Sequence, residues 1–190
     1  MRNIFFIVFI FLNIVELNAN SPQKFKISNG LTFIGMGDYR GYYYANALLL
    51  PLNQWFYIEP SLGFIISSNS KKHNELRWHN SSYINMDLSL FLKPIATKHF
   101  EFLIGGGFAS RIRNEINPYF WQSRIDSLGN EYFYNIVYEN NTTFDIGYTI
   151  STYFIYVTPS KFDISFNLIM NTYKAGTEIF IFDLSLYYKF

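Results

Sequence analysis

Phe162-Asp163-Ile164-Ser165-Phe166-Asn167-Leu168-Ile169-Met170-Asn171, the turn Ala175-Gly176-Thr177, and Phe180-Ile181-Phe182-Asp183-Leu184-Ser185-Leu186-Tyr187-Tyr188-Lys189-Phe190 decide the fold. Period two is the spacing of a β-strand, whose successive side chains point to opposite faces. In the first arm Phe162, Ile164, Phe166, Leu168 and Met170 share one face; Asp163, Ser165, Asn167 and Asn171 share the other. In the second arm Phe180, Phe182, Leu184, Leu186, Tyr188 and Phe190 oppose Asp183, Ser185, Tyr187 and Lys189. A short glycine-containing link joins the arms, so they form an antiparallel hairpin.

The split recurs upstream. A third strand sets Phe56, Ile58, Leu62, Phe64 and Ile66 against Tyr57, Glu59, Ser61, Gly63 and Ser67. In a fourth, Ile84, Met86, Leu88, Leu90 and Leu92 oppose Tyr83, Asn85, Asp87, Ser89 and Phe91. A fifth sets Phe100, Phe102, Ile104 and Phe108 against Glu101, Gly105, Gly107 and Arg111; a sixth sets Phe144, Ile146, Tyr148, Ile150, Phe154 and Tyr156 against Asp145, Gly147, Thr149, Ser151 and Tyr153. The first and second strands, near Lys26 to Gly37 and Gly41 to Leu50, alternate less regularly. The pattern predicts an all-β fold: an eight-stranded antiparallel up-and-down transmembrane β-barrel.

Composition narrows the setting. The 190 residues suit one domain. Aromatic residues reach 21% and charged residues only 15%, a balance unlike that of a water-soluble domain. The chain has no cysteine, which excludes a disulfide framework, a thiolate metal site and a lipid anchor on cysteine. A formal net charge of +1 gives no reason to expect nucleic acid as a partner. Beyond the N-terminus no apolar run is long enough for a helical span. At the N-terminus, Arg2, the apolar run Ile4 to Leu12 and Leu17-Asn18-Ala19 have the layout of a secretory signal peptide cut after Ala19. The expected division is 1–19 as signal peptide and 20–190 as barrel domain.

With an even number of strands, both ends of the barrel domain emerge on one side. There the links are short: Pro51 to Gln54, Pro94 to His99, Pro159 to Lys161. On the other side the stretches around Ser68 to Asn80 and Asn114 to Asn141 are longer and more polar. Outer-membrane barrels show this asymmetry, with short periplasmic turns and long outer loops. A soluble lipocalin-like carrier would turn its apolar face inward. The reverse sense is favoured here because the polar faces hold Ser, Gly, Asn and Tyr and few of the Lys and Glu of a wetted exterior. Aromatics also gather at strand ends like interfacial girdles. They are Trp55, Phe56, Tyr57, Phe100, Tyr156, Phe162 and Tyr188 on the short-turn side, and Tyr42, Tyr43, Tyr44, Trp78, Tyr83 and Tyr148 on the other.

The ending Phe182-Asp183-Leu184-Ser185-Leu186-Tyr187-Tyr188-Lys189-Phe190 resembles the C-terminal signature of bacterial outer-membrane barrels. The whole alternating region resembles the small OmpA- and OmpX-type eight-stranded barrels. The resemblance implies a cell outer membrane location, contact with outer-membrane lipid, and an assembly signal at Leu184, Leu186, Tyr188 and Phe190 read by the barrel-assembly machinery. It carries no functional site.

A barrel of eight strands is just wide enough for its own side chains, so the architecture is porin-like while the lumen is expected to be plugged. Glu59, Asp87, Glu101, Asp145, Asp163 and Asp183 fall inside, with Lys93, Arg111, Arg113 and Lys189 to face them. Buried charges need partners. The hairpin around Ser127 to Asn130 puts Asp145 opposite Arg111 or Arg113, and Lys93 faces Glu101 across its turn. Gly105 and Gly107 leave room for Tyr83 and Phe91.

The stretch from Phe100 to Val157 is nearly symmetric about Leu128-Gly129. Its arms exceed the roughly 9–11 residues that span a membrane and break near Asn114 to Pro118 and Asn140-Asn141. A protruding hairpin is expected, bearing Tyr119, Phe120, Trp121, Tyr132, Phe133, Tyr134 and Tyr138 toward an extracellular protein or glycan. The function so read is structural or surface interaction, with no cofactor and no metal site. One enzyme reading stands beside it. His79-Asn80-Ser81 resembles the His-x-Ser pair of outer-membrane lipid A deacylases, themselves eight-stranded barrels; the orienting carboxylate such a pair needs is not fixed by the sequence, and Glu75 or Glu139 would fill that place only by chance. The residues after Ser81 depart from that family's Asn-Ala.

Overall fold

Alternating apolar and polar residues cannot satisfy two environments unless the strand lies between them, and a sheet that closes on itself leaves no unpaired edge. The computed structural model, which describes residues 22–35, 39–68, 80–129, 131–174 and 176–190, shows that solution. Its eight strands are β1 (Lys24–Ile34), β2 (Tyr39–Pro51), β3 (Phe56–Ser68), β4 (Asn80–Ala96), β5 (Phe100–Ile125), β6 (Glu131–Tyr156), β7 (Phe162–Tyr173) and β8 (Glu178–Lys189). Each pairs antiparallel with the next, and β1 pairs with β8 from Lys24↔Lys189 to Ile34↔Ile179, closing the barrel. The segment 1–19, the stretch 69–79 and the side chains of Trp121, Glu131, Tyr132 and Phe133 lie outside the described residues.

The apolar face points out. Leu31, Leu62, Ile66, Leu90, Phe108, Ile150, Ile164 and Leu184 are all exposed, while Asp163, Asn167, Asn85 and Arg111 are buried inside. This is the opposite sense to a lipocalin. An apolar surface of this extent suits hydrocarbon and not water. Among the described residues no helix is long and apolar enough to cross a membrane, a statement that does not bear on strands.

Several details correct the sequence reading. β1 starts at Lys24, two residues earlier than expected, which turns Lys24 and Lys26 into the lumen. Tyr43, Tyr57 and Tyr83 are not girdle residues: all three are buried on the inner face. Tyrosine fits either place, since a ring with one polar end can cap an interface or bridge charges in a lumen. Among the expected girdle residues, Trp55, Tyr156 and Phe162 on the short-turn side, and Tyr42, Tyr44 and Tyr148 on the other, do lie exposed on the outside; Trp78 falls outside the described residues.

Two glycines shape the lumen. A Cβ on Gly105 would sit 2.6 Å from the Phe91 ring, so this glycine admits that ring. At Gly107 a Cβ would meet the Leu88 carbonyl oxygen at 2.0 Å, so Gly107 admits neighbouring backbone and not Tyr83, which pairs with Arg113. Gly63, which the sequence reading passed over, makes way for the Tyr43 ring.

Candidate functional site

Buried polar side chains need partners, and many of those in the lumen find one another, at three levels. Near the short turns, Lys24 Nζ lies 2.9 Å from Glu101 Oε2 and 3.1 Å from Asp163 Oδ2. Lys189 Nζ lies 2.8 Å from Asp163 Oδ1 and Lys93 Nζ 3.5 Å from Glu101 Oε1. Lys93 also donates to the Tyr57 hydroxyl at 2.8 Å. At the middle level, Lys26 Nζ lies 2.6 Å from Glu59 Oε1, and the Tyr153 hydroxyl donates to the same oxygen at 2.7 Å. Asn167 Nδ2 donates to Asp183 Oδ1 and to Ser185 Oγ, both at 2.7 Å.

At the outer level the ladder puts Arg111 directly opposite Asp145. Arg111 Nε and Nη2 both lie 2.8 Å from Asp145 Oδ2. The guanidinium stacks 3.9 Å from the Tyr173 ring centre and 5.2 Å from that of Tyr83. Arg113 Nε is 3.6 Å from the same carboxylate oxygen and donates to Thr143 Oγ1 at 3.0 Å, while Nη1 reaches Glu115 Oε1 at 3.1 Å. Lys24 and Lys26 are the interior cations that sequence reasoning missed. The only signal was the phase of a strand whose alternation Asn29 and Gly30 obscure. Among the described residues no group of three or more His, Cys, Asp or Glu is placed to hold a metal ion.

The other candidate surface is the β5–β6 hairpin. Each arm has 26 residues. β4 accompanies β5 only as far as Asn80↔Ile116, and β7 accompanies β6 only to Gly147↔Tyr173. Beyond those points, among the described residues, the two arms pair only with each other. Its arms do not break at Asn114 to Pro118 or Asn140-Asn141: Asn114 pairs with Thr142, Ile116 with Asn140 and Pro118 with Tyr138. Turn-forming residues stay extended because the partner arm offers a continuous ladder, and Pro118 lies beyond the last described β4–β5 pair, Asn80↔Ile116. The register slips instead between Pro118 and Gln122, where Asn135 takes a φ of 52°. At the tip, Asp126 Oδ1 accepts from Leu128 N, and Gly129 adopts a φ of 83°.

On this ribbon Tyr119 is 73%, Phe120 49% and Tyr134 46% exposed. Among the described residues no ring pair joins these three, so they do not shield one another. Ile116, Val137 and Tyr138 extend the exposed apolar surface. On β8, Leu184, Leu186 and Tyr188 face outward, and Phe190, just beyond it, donates its backbone N–H to Gln23 O at 3.1 Å. Ser81 is only 4% exposed and lies inside, opposite Ser67 and Glu115. Its hydroxyl is therefore turned from the outer face, where an acyl chain would lie. His79 and Glu75 lie outside the described residues, and Glu139 is exposed on the ribbon opposite Asn117.

No protein-family profile matches the sequence, and no curated protein matches it. Solved structures do. Ail, the attachment invasion locus protein of Yersinia pestis, aligns with a TM-score of 0.53 at 9% identity, covering 89% of this chain and 98% of that one. Neisserial surface protein A aligns with a TM-score of 0.56 at 11% identity, covering 89% and 96%. A major outer membrane protein of Thermus thermophilus aligns with a TM-score of 0.57 at 12% identity, covering 88% and 99%. Ail has also been solved with the heparin analogue sucrose octasulfate. At such identities the likeness speaks for architecture alone. With its apolar exterior, salt-bridged interior and eight-strand closure, this chain has the fold of the small outer-membrane β-barrels.

Proposed function

We propose that the chain is an outer-membrane barrel whose task is surface interaction, carried by the β5–β6 ribbon. The observation that bears most weight is the exposure of Tyr119, Phe120 and Tyr134 on a ribbon that outruns both neighbouring strands. Large rings left in water without mutual packing are costly unless a partner covers them. Trp121 and Tyr132 belong to the same surface by sequence position. The partner is an extracellular protein or a glycan; the solved complex of Ail, a barrel of like architecture, with a heparin analogue supports the glycan reading. In this reading residues 1–19 direct export and the 20–190 region forms the barrel. Leu184, Leu186, Tyr188 and Phe190 are presented to the assembly machinery, and the filled lumen conducts little.

The test replaces the ribbon beyond Ile116 and Asn140 with an Asn-Gly turn, which suits a two-residue hairpin. The shortened protein should still insert and show heat-modifiable gel mobility, yet lose binding of cells to extracellular-matrix proteins and to a sulfated glycan array. Retained binding would refute the assignment of the surface to the ribbon.

A further inference from the structure

Away from its rims, the outer face of the barrel carries two neighbouring carboxamides among the described residues, apart from the smaller hydroxyls of Thr152 and Ser110 on β6 and β5. Asn29 on β1 and Asn46 on β2 point outward from neighbouring strands: Asn29 pairs across with Tyr44, and Asn46 with Ile27. Both lie at mid-height. Asn29 is level with Leu184, the central outward residue of β8, and Asn46 is level with Leu62 of β3. The Asn46 Oδ1 accepts from the Tyr44 hydroxyl at 3.2 Å. The Asn29 carboxamide has no hydrogen bond among the described residues. Everywhere else at this height the outward side chains are chiefly Leu, Ile, Phe and Met.

A carboxamide offers two N–H donors and an acceptor, and hydrocarbon offers neither. An amide at the middle of the apolar band is therefore costly unless another molecule in the membrane completes it. A carboxamide is complementary to itself. A two-fold axis along the membrane normal brings identical heights together, so mid-height amides of one copy meet mid-height amides of another. The flanking Ile27, Leu31 and Leu48 are exposed on either side of the pair and would pack around it.

We infer that the chain associates with a second copy of itself through the outer face of β1 and β2, with Asn29 and Asn46 hydrogen-bonded between copies. The inference rests on the membrane reading above. The chain lacks cysteine, so a single introduced thiol reports one face at a time. In phosphatidylcholine vesicles, Ile27→Cys should form a disulfide-linked dimer on oxidation, while Phe108→Cys on the far side should not. Energy transfer between labelled copies should survive dilution into lipid. In N29L/N46L it should require at least about tenfold more protein per lipid, because the carboxamide hydrogen bonds between copies are lost.

Since leucine suits the outer face, this variant should keep its heat-modifiable mobility, which separates lost association from lost folding. Equal cross-linking from both faces, or energy transfer indifferent to N29L/N46L, would overturn the inference. So would an inserted chain that stays monomeric. Failure of the unaltered chain to insert would instead count against the membrane reading itself.

Discussion

Arg111 shows what one buried charge demands of its surroundings. It is fully buried, and its guanidinium is held by Asp145 and two tyrosine rings. Arg111→Ala strands Asp145 without its main partner, a loss of about 3–5 kcal/mol in unfolding free energy. Arg111→Met with Asp145→Asn should recover most of that, since the uncompensated charge is gone. Urea titration of both variants in lipid vesicles measures the difference. The sequence narrowed the partner of Asp145 to two arginines but could not choose, because a shift of two residues keeps every side chain on the same face. Lys24 and Lys26 escaped for a related reason. Asn29 and Gly30 blur the alternation of β1, so its inner phase was not readable. The tyrosines misled because ring and hydroxyl satisfy opposite surroundings.

At the level of the strand, tolerance is set by how closely two backbones approach. Gly107 faces a neighbouring carbonyl with no space for a methyl group, whereas Gly63 faces the edge of a movable ring. Gly107→Ala should abolish or sharply reduce the folded, fast-migrating gel band, while Gly63→Ala should retain it with a modest fall in stability. Comparable losses in both would refute this account of β4–β5 packing. Six strands were legible because their outward faces are chiefly apolar. The ribbon was legible as a protrusion but not in detail. Asparagine and proline at 114–118 and 140–141 carry strong local turn preference, and only the facing arm, paired from Asn114↔Thr142 to Pro118↔Tyr138, overrides it.

For the barrel as a whole, the decisive quantity is the difference between its outer belt and its outer ribbon. Leu88→Arg places a cation in the belt and should destabilise the inserted protein by roughly 2–4 kcal/mol. Leu128→Arg, at a tip where the side chain is 84% exposed, should change stability little. Equal effects in vesicle unfolding experiments would mean that the belt does not meet hydrocarbon. The reversed sense of the barrel was readable from which polar residues fill the alternate positions. What the proposed ribbon surface would meet was not, since exposed rings do not specify the chemistry that would cover them.

Closure by β1 against β8 also governs when folding can finish. The first strand to leave the ribosome must wait for the last before its outer edge is hydrogen-bonded, so no partial product owns a sealed cylinder. Until that seam forms, the eight-stranded sheet has two unsatisfied margins, each a template for unwanted strand addition. Closure is thus intrinsically post-synthetic, and anything that masks those margins until the seam forms guards the chain against the wrong partner.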